Sequence, residues 1–214
     1  MKEKITVCLF THIIYANTSS PLIENKMLID TIKSSKEDLG LSNVQYRIYY
    51  DDFYRKNYPS LTREYFNYLI TELNNRGLSN LNIEIVKNTT DTLRGNWALA
   101  CNEIKTPYML FLEHDWKFLQ KIDMESVINT LDEYEHISYL KFNRYPLDGR
   151  PYPSNTNWEY FFQTETNFKK SKIPLTKVSF WSGNPHIMRI SSALNKYIPR
   201  IEKDVPGGRG RSFL

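Results

Sequence analysis

With 214 residues, 41% hydrophobic and 24% charged, the chain can bury one core without disulfide or metal staples, and it reads as a single domain. A net charge of +4 suits an anionic small ligand, but the basic residues are dispersed and only Arg209-Gly210-Arg211 cluster, which excludes a nucleic-acid surface. No run approaches the ~20 apolar residues of a membrane span, and Cys8 and Cys101, each within an apolar run, read as buried thiols of a reducing, cytoplasmic compartment rather than a disulfide framework.

The N-terminal Lys2 and Lys4 followed by Ile5–Ile14 resemble a signal peptide, but Thr6, Thr11 and His12 interrupt the run, and Ile5–Ile13 reads as a buried strand. A helix follows over Ile23–Lys36, closed by Gly40. Val44–Tyr50 is a second strand, and Thr62–Leu73 a helix ended by Asn74-Asn75-Arg76-Gly77. Leu81–Val86 is a third strand, after which Asp91 is expected to cap a helix carrying Trp97, Leu99 and Ile104. Tyr108–Leu112 is a short continuous apolar run, the pattern of a parallel strand buried on both faces. Met124–Tyr134 reads as a helix and Ile137–Phe142 as a strand. Pro146–Asn167 breaks the rhythm with prolines and interleaved aromatics, as a binding loop does. A strand at Lys177–Trp181 and a helix at Ser191–Tyr197 complete the pattern, and Pro206 onward is a polar, glycine-rich tail or linker to a further domain. Strands alternating with helices imply βαβ units, hence an α/β fold with a central, mostly parallel sheet flanked by helices.

The chemistry concentrates at Tyr108-Met109-Leu110-Phe111-Leu112-Glu113-His114-Asp115-Trp116. A buried strand delivers two carboxylates, two positions apart, to the carboxyl edge where open α/β sheets bind ligands. On extended backbone residues i and i+2 point the same way, so Glu113 and Asp115 can converge on one point. Mg²⁺ or Mn²⁺ takes one or two carboxylates plus substrate phosphates. The plainer alternative is a solvated strand end with its acids in a turn.

The run from Ile5 to Trp116 resembles the nucleotide-binding half of GT-A glycosyltransferases, family-2-like, with Glu113-His114-Asp115 in place of their Asp-x-Asp motif and Arg94-Gly95-Asn96 near their Arg-Asn element on the preceding helix. The style is that of a viral or bacterial surface-glycan transferase. The resemblance implies a nucleotide-sugar donor, UDP favoured, with Asp115 the principal Mn²⁺ or Mg²⁺ ligand and Glu113 on the metal or ribose. It further implies Thr11 and His12 against base or ribose, a carboxylate of Asp51 or Asp52 on the base or ribose hydroxyls, and Arg94 toward the diphosphate. Residues 1–116 would form the donor half, 117–205 the acceptor half and 206–214 the tail or linker.

In the second half, Phe180-Trp181-Ser182-Gly183-Asn184-Pro185-His186 runs from a strand into a tight turn. Gly183 permits close backbone approach and Trp181 offers a stacking face for a sugar, so Trp181, Gly183 and Asn184 are candidate acceptor contacts. His186 is either a further metal ligand or diphosphate contact, or a satisfied structural histidine. An inverting enzyme needs a carboxylate to take the acceptor's proton. Asp148, Glu159, Glu202 and Asp204 are candidates, and the resemblance favours the last two. The expected acceptor is a glycan or glycoprotein hydroxyl. Two other classes stay open: a sugar nucleotidyltransferase, although Thr11-His12-Ile13-Ile14-Tyr15 lacks that class's glycine-rich phosphate loop, and a non-catalytic nucleotide- or glycan-binding module.

Overall fold

A computed structural model describes residues 1–11, 21–50, 59–86, 89–90, 92–142, 162–164, 176–178 and 185–199. The first half alternates as expected: β1 (Ile5–Thr11), α1 (Pro21–Asp38), β2 (Gln45–Tyr50), α2 (Pro59–Asn75), β3 (Asn82–Ile85), α3 (Leu93–Glu103) and β4 (Tyr108–Glu113). Then come α4 (Met124–Glu133), β5 (Tyr139–Lys141), β6 (Phe162–Thr164), β7 (Thr176–Val178) and β8 (His186–Arg189), followed by a short helix α5 (Ile190–Ser192) running into a π-helical turn at Ala193–Tyr197. Gly40 and Gly77, just past α1 and α2, have φ of 66° and 68°, the left-handed conformation that ends helices and that glycine adopts without steric cost.

The strand order is β3-β2-β1-β4-β8-β5. β3, β2, β1 and β4 are mutually parallel, β8 is antiparallel to β4, and β5 is antiparallel to β8. β6 and β7 form a separate antiparallel pair. The sheet is therefore mixed and mostly parallel, with helices on both faces.

Alternation along the central strands feeds two cores. Ile5, Val7 and Leu9 of β1 and Leu110 and Leu112 of β4 pack with Leu28, Ile29 and Ile32 of α1, Leu69 of α2 and Leu131 of α4. Cys8 and Phe10, Met109 and Phe111 pack on the other face with Trp97, Ala100 and Cys101 of α3 and with Met188, Ala193 and Ile198. A strand buried on both sides needs apolar residues at consecutive positions, which is why β1 and β4 are continuous hydrophobic runs.

One expectation needs correcting. The N-cap of α3 is Thr92, whose side chain accepts a hydrogen bond from the Gly95 backbone N–H, rather than Asp91. His186 opens β8, a four-residue strand in the interior of the sheet.

Candidate functional site

Strands β1, β2 and β3 are laid down in one direction from the centre, and β4 lies on the other side of β1. The order reverses between β1 and β4, and ligands of open α/β sheets bind in the crevice outside the carboxyl ends at such a switch point. Phe10 of β1 stands beside Glu113 of β4 in the ladder, so the chain's two strongest candidate segments meet there.

Glu113 closes β4 and is partly buried, while Asp115 is exposed. The extended backbone does not continue between them as expected. The ladder reaches one residue further, the His114 backbone N–H donating to the Phe10 carbonyl at 3.1 Å, and residues 114–115 then turn, with the Trp116 N–H donating back to the Glu113 carbonyl. The turn is tied to α1, whose Thr31 hydroxyl donates to the His114 carbonyl at 2.7 Å. Even so, the two acids remain within electrostatic reach. Burial, and then the charge of Asp115, push the Glu113 carboxyl up to about 7. A cation beside them would offset the repulsion, and two carboxylates are donors of the kind Mg²⁺ or Mn²⁺ takes. Among the described residues, no three His, Cys, Asp or Glu side chains gather into a metal-binding group, so Glu113, Asp115 and His186 do not form a three-ligand cluster.

His186 lies one strand over. It faces Phe111 in the β4–β8 ladder, is buried, and stacks on the Phe111 ring at 4.7 Å and 13°. Phe111 stacks in turn on Phe10, and Phe10 on Tyr49, so four rings in a row, one from each of four adjacent strands, lie buried on the α3 face of the sheet. Thr11 ends β1, buried, with its hydroxyl 3.5 Å from that of Tyr65 on α2.

At the start of α3 stands Arg94-Gly95-Asn96, of which the sequence singled out only Arg94 for a role. Arg94 is half-buried in the first turn. Asn96 is the clamp. Its side-chain amide donates to the carbonyls of Tyr50, the last residue of β2, and Thr90 at 3.0 and 3.2 Å, and its carbonyl accepts from the Thr90 N–H at 2.6 Å. Gly95 makes the approach possible, because a Cβ there would lie 2.2 Å from Thr90 Oγ1. The threonine-rich lead-in Thr89-Thr90 before a capped Gly-Asn turn was the available signal. His12, Asp51, Asp52, Asp148, Glu159, Trp181, Gly183, Asn184, Glu202 and Asp204 lie outside the described residues.

No protein-family model matches the chain. No curated protein matches it either. Among solved structures, it is similar to S. aureus TarS 1-349 in complex with UDP-GlcNAc, at 16% identity and a TM-score of 0.50, over 90% of this chain and 47% of that one. The chain thus spans about half the length of that protein segment. Further likenesses are to the mannosyltransferase PcManGT from Pyrobaculum calidifontis in complex with GDP-Man and Mn²⁺ (14%, TM-score 0.40, 69% and 37% of the two chains) and to the 4-diphosphocytidyl-2C-methyl-D-erythritol synthase of Anaerococcus prevotii (8%, 0.47, 97% and 81%). The first of these likenesses agrees with the sheet in assigning a GT-A-like α/β fold. No helix of the described residues is long and apolar enough to cross a membrane.

Proposed function

We propose that the protein is a metal-dependent glycosyltransferase that moves a sugar from a nucleoside-diphosphate sugar, UDP favoured, to a hydroxyl of a glycan or protein-linked acceptor, inverting the anomeric centre. The observation that carries this reading is the acid pair at the switch point: Glu113 ends β4 and Asp115 follows in the turn, and burial, then the charge of Asp115, push the Glu113 carboxyl up to about 7. Asp115, with Glu113 beside it, would hold Mn²⁺ or Mg²⁺, whose charge offsets that developing on the leaving nucleoside diphosphate.

The chain's own groups complete the reading. Arg94, carried on the turn that Gly95 and Asn96 press against β2, pairs with diphosphate oxygens, and a guanidinium does so bidentately. Thr11, His12 and Asp51 or Asp52 serve base and ribose, and His186, one strand from β4, serves the diphosphate. Residues 1–116 then act as the donor half and 117–205 as the acceptor half, with 206–214 a tail or linker. Trp181, Gly183 and Asn184 receive the acceptor, and Glu202 or Asp204 takes the proton from its hydroxyl as the new bond forms. The two thiols, Cys8 and Cys101, stay free, which suits a reducing cytoplasm.

Isothermal titration with UDP, in Mn²⁺ and in chelator, tests the donor site. Binding is expected with Mn²⁺ alone, and Asp115→Ala should weaken it at least tenfold, about 1.4 kcal/mol, with an unchanged unfolding midpoint. Equal affinity in the variant removes the metal assignment. Product analysis with UDP-sugars then separates the chemistries. Free sugar plus UDP supports the transferase, nucleoside triphosphate formed only with added pyrophosphate supports a nucleotidyltransferase, and UDP binding without turnover supports a binding module.

A further inference from the structure

We propose that Thr31 and Ser34 of α1 are positioning residues for the acid pair: their hydroxyls hold the backbone on both sides of Asp115 and so set where its carboxylate meets a divalent cation and the nucleoside diphosphate. This role rests on the proposed donor site and names the part of the fold that fixes its turn. Asp115 is exposed, so its place comes from the backbone that carries it rather than from packing of its side chain. That backbone is tied at two points. The Thr31 hydroxyl donates to the His114 carbonyl at 2.7 Å, one residue before Asp115, and the Phe118 N–H donates to the Ser34 hydroxyl at 3.2 Å, three residues after it.

Helix geometry lets the two hydroxyls act together. Positions i and i+3 lie on one face of an α-helix, about 4.5 Å apart along its axis. One turn further on, the Asp38 carbonyl accepts from the Ile122 N–H at 2.9 Å. His114, Phe118 and Ile122 thus meet Thr31, Ser34 and Asp38 in the same order, and the loop 114–122 tracks about 10 Å of α1. Phe118 is buried in the core that α1 shares and Ile122 packs against it, while Lys117 and Leu119 are exposed.

Burial separates these ties from ordinary helix hydroxyl contacts. Thr31 and Ser34 are 1% and 3% exposed, where a hydroxyl needs a hydrogen-bond partner. Each already has one inside α1: Thr31 lies 3.0 Å from the Met27 carbonyl, and Ser34 donates to the Thr31 carbonyl at 3.2 Å. Such local bonds are open to Ser and Thr in any helix and satisfy the hydroxyls without help from the loop. The bonds to His114 and Phe118 are additional, and they reach 83 and 84 residues along the chain. Both are neutral, so their loss moves the turn without changing the charge around the acids. Removing the outer partners that orient a metal ligand typically weakens metal binding 10–100-fold.

Hydrogen exchange and Mn²⁺ titration of the full chain test the role, with Thr31→Val, Thr31→Ser, Ser34→Ala and the control Thr130→Val. Thr130 carries a buried hydroxyl that donates within α4, so its loss reports the cost of deleting a helical hydroxyl elsewhere. In chelator, Thr31→Val and Ser34→Ala should each speed amide exchange over residues 114–118 at least tenfold and leave β4 as it is. At fixed UDP, each should raise the Mn²⁺ concentration for half-maximal binding about tenfold. Thr31→Ser, which keeps the hydroxyl, and Thr130→Val should match the parent in both measurements. A merely structural effect would lower the unfolding midpoints of Thr31→Val and Thr130→Val alike and leave the Mn²⁺ requirement in place. The proposal is overturned, with the donor site intact, if the parent binds UDP in Mn²⁺ and Thr31→Val and Ser34→Ala need no more Mn²⁺ than it does, or if Thr31→Ser is as impaired as Thr31→Val. A parent that binds no UDP in Mn²⁺ overturns the donor site itself, and the positioning role with it.

Discussion

Glu113 is subject to two opposing forces. An apolar strand end, with Phe10 beside it, favours its protonated form, whereas a cation and a diphosphate require the carboxylate. With no cation bound, burial and Asp115 raise its pKa from 4.5 to about 7, so the folded state keeps a proton that the unfolded chain has lost. Stability contributed by this group is therefore full below about pH 4.5, falls as pH rises toward 7 and is flat above. Unfolding midpoints of parent and Glu113→Gln, measured in chelator from pH 5 to 8, should diverge progressively up to pH 7, with the parent the less stable at pH 8. A constant difference across that range would show that Glu113 does not titrate there. At this scale the sequence was legible, since two acids capping a hydrophobic run mark the place. The role of Asn96 was not, because the threonine lead-in marks a capped turn but not that the amide reaches the Tyr50 carbonyl of another strand.

At the scale of the element, α3 is the piece that joins the two sides of the crevice. Its Trp97, Ala100 and Cys101 are buried against the sheet, while its first turn holds Tyr50 and Thr90 through Asn96. Gly95→Ala should push Thr90 aside, break the Asn96 contacts and tilt Arg94. An overpacked contact of this kind costs about 1–3 kcal/mol, readable by chemical denaturation. UDP affinity should fall with it, and an alanine variant of parental stability and affinity would show that Thr90 yields without cost. The cap of α3 was misassigned by one residue, Asp91 for Thr92, because both residue types cap helices well and only the backbone shows which hydroxyl or carboxylate meets the Gly95 N–H.

Across the whole molecule, the sheet has one central pair, β1 and β4, and both cores depend on it. Leu110 is fully buried among β1, α1 and α4 residues, so Leu110→Ala should cost about 2–5 kcal/mol in urea unfolding. A smaller loss would mean that the neighbouring helices collapse into the space. The same pair sets the switch point, and the antiparallel return of β8 brings Arg189 beside Tyr108 at the opposite end of β4.

By itself the sequence determined the alternating elements of the first half, the buried character of β1 and β4, the helix ends at Gly40 and Gly77 and the acid pair at Glu113 and Asp115. Each is written in neighbouring residues as periodicity, a glycine or a charge at the end of an apolar run. Only the tertiary structure decided the strand order, the interior position of β8 and the meeting of Asn96 with Tyr50. The reason is range: β8 is four residues long and its partners are Tyr108–Phe111 and Tyr139–Lys141, far from it in the chain. The hydrogen bonds and ring stacks that place His186 come into being only when those distant strands pair, and no local pattern carries them.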